Sequence, residues 1–341
     1  MNIHITCSTD ANYMQHCMAM LCSVLENNQK HNITIHLLHH LLPNSCQDVL
    51  VEMCNRYHQD IKFYDVDESR IGSVHITHSD LSIATYYRLL LPSLLDKNID
   101  RILYLDCDVI VLKDISELFK VNLDGFGVAA VKDSCPYSNS HRMFIGLGLD
   151  SSYFCAGVLL INMKFWREHN SSEIMFDFLD KHSKELFFED QDVLNFAFRN
   201  HWFQLPNKYG RSPLTIALLD NNQKPFDYTD YLFDASIIHY ATHVKPWLDI
   251  RIPNDQYYWK YVELSRFPNP KRTKVSAVNR KRIKISKIRY YINWYIRPWI
   301  PDFIEMLIKD IFNLFALIFH LFRPNSFKYY HLKRFLSKYN K

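Results

Sequence analysis

The chain has 341 residues, of which 48% are hydrophobic, and a formal charge of +4 at pH 7. This length and hydrophobic content are enough for one large domain, or for a domain with an appended segment. All eight cysteines lie at or before Cys155 and none forms a CxxC pair, which excludes a metal site of that spacing and favours a reducing, cytoplasmic setting.

The charge is distributed unevenly along the chain. Residues 271–341 contain 17 Lys and Arg against three acids, so residues 1–270 contain 23 basic and 33 acidic residues. A solvated basic tail would explain this asymmetry, but the segment is also rich in Trp, Tyr, Phe and Ile. That composition favours a surface that binds anions and apolar material together. Because no RNA or DNA motif accompanies the charge, we expect no nucleic-acid partner.

The first part of the chain alternates between strand and helix patterns. These predict strands at Ile3–Cys7, Ile33–Leu38 and Ile61–Val66, with helices ending near Leu25 and spanning Ser45–Tyr57. A βαβαβ order is typical of a doubly wound sheet with a nucleotide-binding edge. A GxGxxG turn is absent, and the chain has seven glycines in all. We therefore expect a metal rather than a glycine-lined helix start to hold phosphates, which argues against a dinucleotide enzyme.

The next segment, Ser79–Leu91, opens with Ser and Asp capping residues and predicts a helix that ends near Pro92. Arg88 falls within the apolar face of this helix, where a charge needs a partner. From the sequence alone, a structural ion pair explains Arg88 as well as a ligand contact does.

Two apolar runs, Ile102–Leu105 and Val109–Leu112, flank Asp106 and Asp108. The first run predicts a buried strand of a parallel sheet, and ligands of open α/β sheets bind just outside the carboxyl ends of such strands. Two ionised carboxylates this close repel each other, so they need a cation or a proton between them. A hard divalent ion, Mn²⁺ or Mg²⁺, shared with a diphosphate would satisfy both.

The remaining elements carry further polar residues near their ends. The patterns predict strands at Phe126–Val131, Tyr153–Asn162 and Ser236–Tyr240, a helical region over Lys164–Glu185 and a short helix within Phe188–Asn195. Three acids open the short helix, where compensation of the helix dipole explains them without any function. His239 ends the last strand, and a lone histidine there is more often structural than a ligand.

Six ordered blocks together resemble glycosyltransferase family 8, the retaining enzymes of the GT-A fold. The resemblance covers about residues 2–250 and rests on Asp10–Tyr13, Ala84–Arg88, Leu103–Asp108, Phe154–Asn162, Asp190–Asn195, and His239–Tyr240 with Lys245–Trp247. It implies an α/β architecture, a Rossmann-like mixed sheet flanked by helices, followed by a basic, aromatic, helical C-terminal tail. We expect a catalytic domain over residues 1–265 and a membrane-attachment region over residues 266–341.

The resemblance also implies a site. Mn²⁺, or Mg²⁺, would be held by Asp106, Asp108 and His239 and would bridge the diphosphate of a UDP-sugar. The residues implied in donor binding are Asp10, Asn12, Tyr13, Arg88, Asp133, Cys155, Ala156 and Lys245. The residues implied in catalysis are Asp190, Gln191 and Asp192.

Gln191 matches the family residue on the face of the sugar opposite UDP. An amide is too weak a nucleophile for a simple double displacement, so the resemblance implies a front-face mechanism in which the leaving phosphate deprotonates the acceptor hydroxyl. Asp192 is the second candidate nucleophile.

Two positions depart from the family pattern. Cys155 stands where bacterial relatives have Asn, and a thiol cannot supply both the donor and the acceptor of an amide. Thr242 stands where the family often has Gly, so the backbone would approach the phosphates less closely. Neither change removes a metal ligand, and both leave the donor sugar open.

The tail contains a helical pattern over Asp302–Phe322, whose uninterrupted apolar run, Leu314–Phe319, is far short of the ~20 residues a membrane-spanning helix needs. We expect an amphipathic helix lying in the plane of an anionic membrane, against the alternative of a helix packed on the domain or on a second subunit. No secretory signal is visible at the N-terminus, so the expected location is cytoplasmic, peripheral on the inner face of the plasma membrane.

The function predicted from these features is Mn²⁺-dependent, retaining transfer of a hexose, galactose or glucose, from a UDP-sugar to a glycan such as lipopolysaccharide core or another lipid-linked oligosaccharide. Two alternatives remain open at the level of the sequence: a sugar-nucleotide hydrolase or nucleotidyltransferase using the same site, and a non-catalytic, membrane-associated binding or assembly protein on a transferase scaffold.

Overall fold

The computed structural model describes residues 1–72, 74, 82–133, 145–147, 151–212, 234–242, 244–249, 254–275 and 280. The chain divides into two compact units, and all of these residues belong to the first, which comprises Met1–Asp220 and Phe226–Arg280. The second unit, Asn221–Pro225 and Lys281–Lys341, lies outside the described residues, and so does the helix predicted for the tail. No helix in the described part of the chain is long and apolar enough to cross a membrane.

Nine strands are described. In chain order they are β1 (Asn2–Ser8), β2 (Asn32–His39), β3 (Asp60–Asp65), β4 (Arg101–Leu105), β5 (Val109–Val111), β6 (Val128–Lys132), β7 (Phe154–Asn162), β8 (Trp202–Leu205) and β9 (Ile237–His239).

Seven strands form one mixed sheet in the order β3-β2-β1-β4-β7-β6-β8. The first four run parallel, β7 runs antiparallel to both β4 and β6, and β8 runs parallel to β6. β5 and β9 form a separate antiparallel pair in which Val109 lies opposite His239. The mixed α/β architecture predicted from the sequence is confirmed.

The α-helices of the described residues are α1 (Met14–Asn27), α2 (Asn44–Arg56), α3 (Leu91–Leu94), α4 (Met163–Glu168), α5 (Ser171–His182), α6 (Glu189–Ala197) and α7 (Asp255–Ser265). Short 3₁₀ helices span Ala11–Tyr13, Glu68–Arg70, Ile83–Leu90, Ser116–Lys120 and Asn207–Tyr209.

Helix α1 is buried on all sides because it lies between β5 and α7. Ser23 Oγ accepts from the backbone N–H of Val111 at 2.9 Å, while Asn27 donates to Val111 O at 3.0 Å and to Tyr261 OH on α7 at 2.7 Å. Every residue of α1 from Met14 to Leu25 is buried. The polar side chains of such a buried helix need hydrogen-bond partners, which Ser23 and Asn27 find on β5 and α7.

The runs predicted as buried strands are buried. All four residues of Ile102–Leu105 in β4 are at most 2% exposed, and in β7 Phe154 and Ala156–Ile161 are buried. Burial of this kind on both faces replaces the alternation of a half-exposed strand with a continuous apolar run.

Two predicted helices differ in the structure. The helix expected over Ser79–Leu91 is a 3₁₀ helix, Ile83–Leu90, that continues into α3, and residues 79–81 lie outside the described residues. Pro92 lies in the first turn of α3 instead of ending a helix. A proline is tolerated there because the N–H of a first-turn residue has no intrahelical acceptor.

The helical region expected over Lys164–Glu185 is two helices. Asn170, between α4 and α5, has φ of 48°, which an α-helix cannot accommodate. Two further elements, β8 and α7, were not predicted. The buried residues of α7 are Tyr258, Tyr261, Val262 and Ser265, whose spacing of three, four and seven is the signal that could have revealed it.

Candidate functional site

The acidic pair lies between β4 and β5, and the strand pairing brings a histidine to it. Asp106 follows β4, and its N–H donates to Gly157 O on β7 at 2.9 Å. Asp108 precedes β5, and its carbonyl accepts from the N–H of Tyr240 at 3.0 Å. Because β5 pairs with β9, His239 arrives beside two aspartates more than 130 residues earlier in the chain.

Asp106, Asp108 and His239 each offer a ligand atom, and these atoms lie within 4.8 Å of one another. The Nε2 atom of His239 is 3.2 Å from Asp108 Oδ1 and 3.9 Å from Asp106 Oδ2. Oδ1 of Asp108 is buried and has no hydrogen-bond partner. In the part of the chain that the structure describes, this is the one cluster of three or more metal-ligating side chains.

Each of the two carboxylates uses its other oxygen to pair with a cationic side chain. Asp106 Oδ1 is 2.7 Å from Nη2 of Arg88, and Asp108 Oδ2 is 2.5 Å from Nζ of Lys245. The two remaining carboxylate oxygens face His239. Two carboxylate oxygens and an imidazole nitrogen are a donor set that suits a divalent ion such as Mn²⁺. The residues therefore fit a metal.

The charges at this cluster shift two pKa values in opposite directions. Burial raises the pKa of Asp108, but Lys245 and His239 outweigh burial and hold it below its ordinary value. Burial lowers the pKa of His239, but Asp108 and then Cys155 outweigh burial and hold it above its ordinary value. The attraction between the Asp108 carboxylate and the His239 ring contributes to both shifts.

Arg88 is 2% exposed and ties the acidic pair to helix α6. Besides Asp106, it lies 3.2 Å from Asp190 Oδ2 through Nε and donates from Nη1 to Ala156 O at 2.7 Å. Its guanidinium carbon lies 3.8 Å from the ring centroid of Tyr104. Arg88 is thus ion-paired with both Asp106 and Asp190.

Asp190 lies in the first turn of α6 and is linked to the acidic pair through Arg88. Thr85 Oγ1 donates to its Oδ1 at 2.5 Å. Burial raises the pKa of Asp190 to about 6, and the opposing influence of Arg88 does not cancel this increase. The buried carboxyl group of Asp190 therefore holds its proton to higher pH than an exposed one does.

The side-chain amide of Gln191 is held at both ends. Its Oε1 accepts from the N–H of Ala156 at 2.9 Å, and its Nε2 donates to Asp133 Oδ2 at 3.1 Å. The carbonyl of Ala156 also accepts a hydrogen bond from Nη1 of Arg88, so these residues form one connected network with the acidic pair.

The carboxylate of Asp192 has a different set of partners. Its side chain is fully buried, Oδ1 accepts from Tyr153 OH at 2.6 Å, and Oδ2 accepts from the N–H groups of Phe187 and Phe188 at 2.8 and 2.9 Å. Both oxygens thus anchor the chain that leads into α6.

Asp10, one of the residues implied in donor binding, caps the 3₁₀ helix that contains Asn12 and Tyr13. Oδ1 of Asp10 accepts from the N–H groups of Asn12 and Tyr13 at 2.8 and 3.1 Å. The Tyr13 ring meets Trp247 edge-on, with 6.0 Å between centroids. His16, which sequence reasoning missed, stacks on Trp247 at 3.7 Å, and burial lowers its pKa to about 3. Helical spacing from Tyr13 is a signal that could have placed His16 here.

Of the two residues that depart from the family pattern, Cys155 contacts His239, whereas Thr242 bonds to nearby backbone. Cys155 Sγ is 3.4 Å from Nδ1 of His239, a contact that the sequence did not predict. Thr242 Oγ1 hydrogen-bonds locally to the backbone of Val244, at 3.3 Å for both its N–H and its carbonyl.

A mixed sheet in this strand order, with two aspartates, a histidine and a lysine gathered beside β4, has the architecture of the GT-A glycosyltransferases. A galactosyltransferase, LgtC, solved in complex with donor and acceptor sugar analogues, aligns with a TM-score of 0.68 at 23% identity over 82% of this chain and 99% of that one. The chain belongs to glycosyltransferase family 8, whose sequence profile matches residues 4–251.

Two curated relatives illustrate the range of this similarity. General stress protein A of Bacillus subtilis (strain 168) is 29% identical over 283 residues, covering 79% of this chain and 96% of that protein. A lipopolysaccharide 1,2-glucosyltransferase of Escherichia coli is 28% identical over 251 residues, covering 72% and 73%. The family predicted from the six sequence blocks is confirmed.

Proposed function

We propose that this protein is a retaining, metal-dependent hexosyltransferase that moves galactose or glucose from a UDP-sugar to a glycan such as lipopolysaccharide core or another lipid-linked oligosaccharide. The observation that carries the proposal is the convergence of Asp106, Asp108 and His239, with Lys245 beside them. The names of the E. coli glucosyltransferase and of LgtC, with its sugar analogues, support the substrate class.

Asp106, Asp108 and His239 would hold Mn²⁺ or Mg²⁺, which when bound would neutralise the charge that develops on departing UDP and replace an acid catalyst. Two cationic side chains orient the ligand oxygens for this role. Arg88 fixes one oxygen of Asp106 and Lys245 one oxygen of Asp108, so the other oxygens stay aimed at His239. Lys245 also supplies a point charge for the diphosphate.

For the sugar-transfer step, we assign Gln191 a binding rather than a nucleophilic role. Its amide oxygen is a weak nucleophile and already accepts from the N–H of Ala156. Asp192 has both oxygens occupied within the fold, so we do not assign it the nucleophile. These contacts support the front-face mechanism, in which the leaving phosphate takes the proton of the acceptor hydroxyl as the new glycosidic bond forms on the same face.

The metal assignment is tested with Asp106→Asn. Asparagine keeps an acceptor for Arg88, so the fold is preserved, but it removes the charge that a divalent ion needs. We expect loss of Mn²⁺-dependent UDP release from UDP-sugars, measured with a coupled assay. Asp124→Asn changes an exposed carboxylate outside the site and should turn over like the parent. Normal turnover by Asp106→Asn contradicts the assignment.

The donor is identified by comparing UDP-galactose, UDP-glucose and the UDP-N-acetylhexosamines in the same assay. Product analysis separates the proposed transfer from hydrolysis, since a hydrolase yields free sugar with no elongated glycan. We propose that the enzyme lies at the inner face of the plasma membrane, with catalysis in residues 1–265 and attachment by a part of residues 266–341. The charge of the C-terminal region supports this placement.

A further inference from the structure

Cys155 contacts His239 on the side of the ring that faces away from the carboxylates. Its Sγ lies 3.4 Å from Nδ1, whereas Nε2 lies 3.2 Å from Asp108 Oδ1. We propose that Cys155 is a positioning residue that accepts a hydrogen bond from Nδ1–H of His239 and so keeps the Nε2 lone pair directed at the metal. This inference rests on the proposed metal-dependent function.

A second feature of strand β7 limits how the ring can move. Gly157 is two residues after Cys155 and therefore lies on the same face of the strand. A Cβ added at Gly157 would lie 2.1 Å from Cε1 and 2.5 Å from Nε2 of His239. The imidazole thus packs directly against the backbone of β7, which allows little translation. The remaining freedom is a rotation of the ring about its own bond to the chain, which exchanges nitrogens for carbons.

Cys155 opposes that rotation. A neutral histidine that donates the Nε2 lone pair to a metal carries its hydrogen on Nδ1, and this N–H needs an acceptor. Sulfur is a weak acceptor, but here it is the partner that the structure gives to Nδ1. A half-turn of the ring would place Cδ2 against the sulfur and Cε1 toward the carboxylates. That orientation loses the hydrogen bond and removes the metal-facing nitrogen.

The proposal also bears on a carboxylate oxygen of the cluster that has no hydrogen-bond partner. Oδ1 of Asp108 is buried and lacks a hydrogen bond, although Nε2 of His239 lies 3.2 Å from it. If the ring is held in this orientation before the ion arrives, the buried oxygen and the nitrogen already converge on the position where the ion binds. Pre-organisation of this kind raises metal affinity without adding a ligand.

The test measures Mn²⁺ affinity in the presence of UDP alone, from the electron paramagnetic resonance signal of free Mn²⁺. Cys155→Ala should weaken binding about tenfold, the lower end of the range for residues that orient a metal-bound histidine. Cys155→Ser keeps an acceptor and should remain within about threefold of the parent. Cys155→Val removes the acceptor while retaining bulk and should behave like Cys155→Ala. Cys46→Ala, at a partly exposed cysteine on α2, should change nothing.

The outcomes distinguish failure of the role assigned to Cys155 from failure of the proposed metal dependence. Unchanged Mn²⁺ affinity in Cys155→Ala overturns the inference, as does equal weakening in the Ala and Ser variants, which would indicate packing. A rise in KM for the UDP-sugar with unchanged Mn²⁺·UDP affinity assigns Cys155 to the sugar pocket and also overturns it. Failure of the parent protein to bind Mn²⁺ with UDP overturns the proposed metal dependence itself, and the inference with it. Thermal unfolding of each variant confirms that the proteins compared are folded.

Discussion

At the scale of single residues, Arg88 connects two acids of the candidate site, Asp106 and Asp190. It holds Asp106, which belongs to the candidate metal cluster, and Asp190, which lies in the first turn of α6. The sequence predicts that a charge within an apolar face needs a partner, and it predicts a cation for the acidic pair. It does not predict that one arginine serves both acids, because that depends on how three elements meet. The Cys155–His239 contact escaped prediction for the same reason.

Removing the charge of Arg88 should be costly because its partners are buried. Arg88→Met leaves Asp190 without its counter-ion, and we expect the free energy of unfolding to fall by about 3–5 kcal/mol. In the double variant with Asp190→Asn, the loss should be smaller than the sum of the single losses by about 2 kcal/mol. Urea unfolding followed by tryptophan fluorescence measures both.

A matched control is Arg70→Met, because Arg70 pairs with Glu173 at 3.0 Å while both side chains are at least half exposed. Exposed pairs contribute about 0–1 kcal/mol, so this variant should unfold almost like the parent. Additive losses from Arg88→Met and Asp190→Asn would show that the buried pair is not coupled.

Asp190 should also give the protein a distinctive dependence on pH. Its pKa is raised from 3.8 to about 6, so between these values the folded state holds a proton that the unfolded state has released. The contribution of this group to stability is therefore complete below about pH 4 and is lost as pH rises through 6, a change of about 3 kcal/mol. Asp190→Asn should abolish that component.

The measurement is the free energy of urea unfolding of the parent and of Asp190→Asn at several pH values between 4 and 7. Carboxylates with lowered pKa values, such as Asp108, act in the opposite direction, but they are common to both proteins and cancel in the difference. A difference between the two proteins that does not change with pH would contradict the raised pKa.

At the scale of elements, buried strands such as β4 and β7 were predictable because burial on both faces leaves a visible apolar run, whereas the partly exposed β8 was missed. Helices near the site were less predictable. The 3₁₀ helix Ile83–Leu90 and the break at Asn170 arise where tertiary packing, not propensity, decides the backbone. The acids that open α6 show the limit most clearly. The sequence suggested one shared explanation for them, whereas Asp190 pairs with Arg88 and Asp192 anchors the preceding loop.

Because Asp192 anchors the loop before α6, its substitution should lower stability but change turnover little. Asp192→Asn keeps the size of the side chain but cannot accept from Tyr153 OH and two backbone N–H groups equally well. We expect unfolding to become easier by about 1–3 kcal/mol. The kcat of the folded variant, assayed well below its unfolding temperature, should stay within about tenfold of the parent.

Asp177→Asn provides the control, because that carboxylate is exposed on α5 and pairs with Lys181 four residues later. It should change neither stability nor turnover appreciably. If Asp192 were the nucleophile, its substitution would instead reduce kcat by ~10³-fold or more while leaving substrate binding in place.

At the scale of the whole molecule, the site depends on pairings between distant segments. β7 enters the sheet antiparallel between β4 and β6, and β9 returns to pair with β5. Local pattern predicts that these strands exist but not which neighbours they take, so the Asp106, Asp108 and His239 cluster could be expected only through resemblance to the family. Which carboxylate oxygen faces which cationic side chain could be learned only from the structure.

The boundary of the C-terminal region also depends on packing between distant segments. The N–H of Lys271 donates to Gln15 Oε1 on α1 at 2.8 Å, and the N–H of Val275 donates to Asp249 Oδ1 at 2.9 Å. Arg280 lies 2.7 Å from the other oxygen of Asp249. A truncation intended to leave the catalytic unit whole should therefore end after Arg280 and not before Lys271.

A chain ending at Arg280 should keep its catalytic unit and lose membrane binding. Residues 281–341 contain 13 Lys and Arg against three acids, and each basic residue near an anionic surface contributes about 1 kcal/mol. In sedimentation with vesicles containing anionic phospholipid, we expect the full chain to bind and the truncated chain to remain in the supernatant. Binding of the full chain should weaken on vesicles of phosphatidylcholine alone and at high salt, because the attraction is screened. Metal-dependent UDP release should persist in the truncated chain. Equal sedimentation of the two chains would place the membrane contact within residues 1–280.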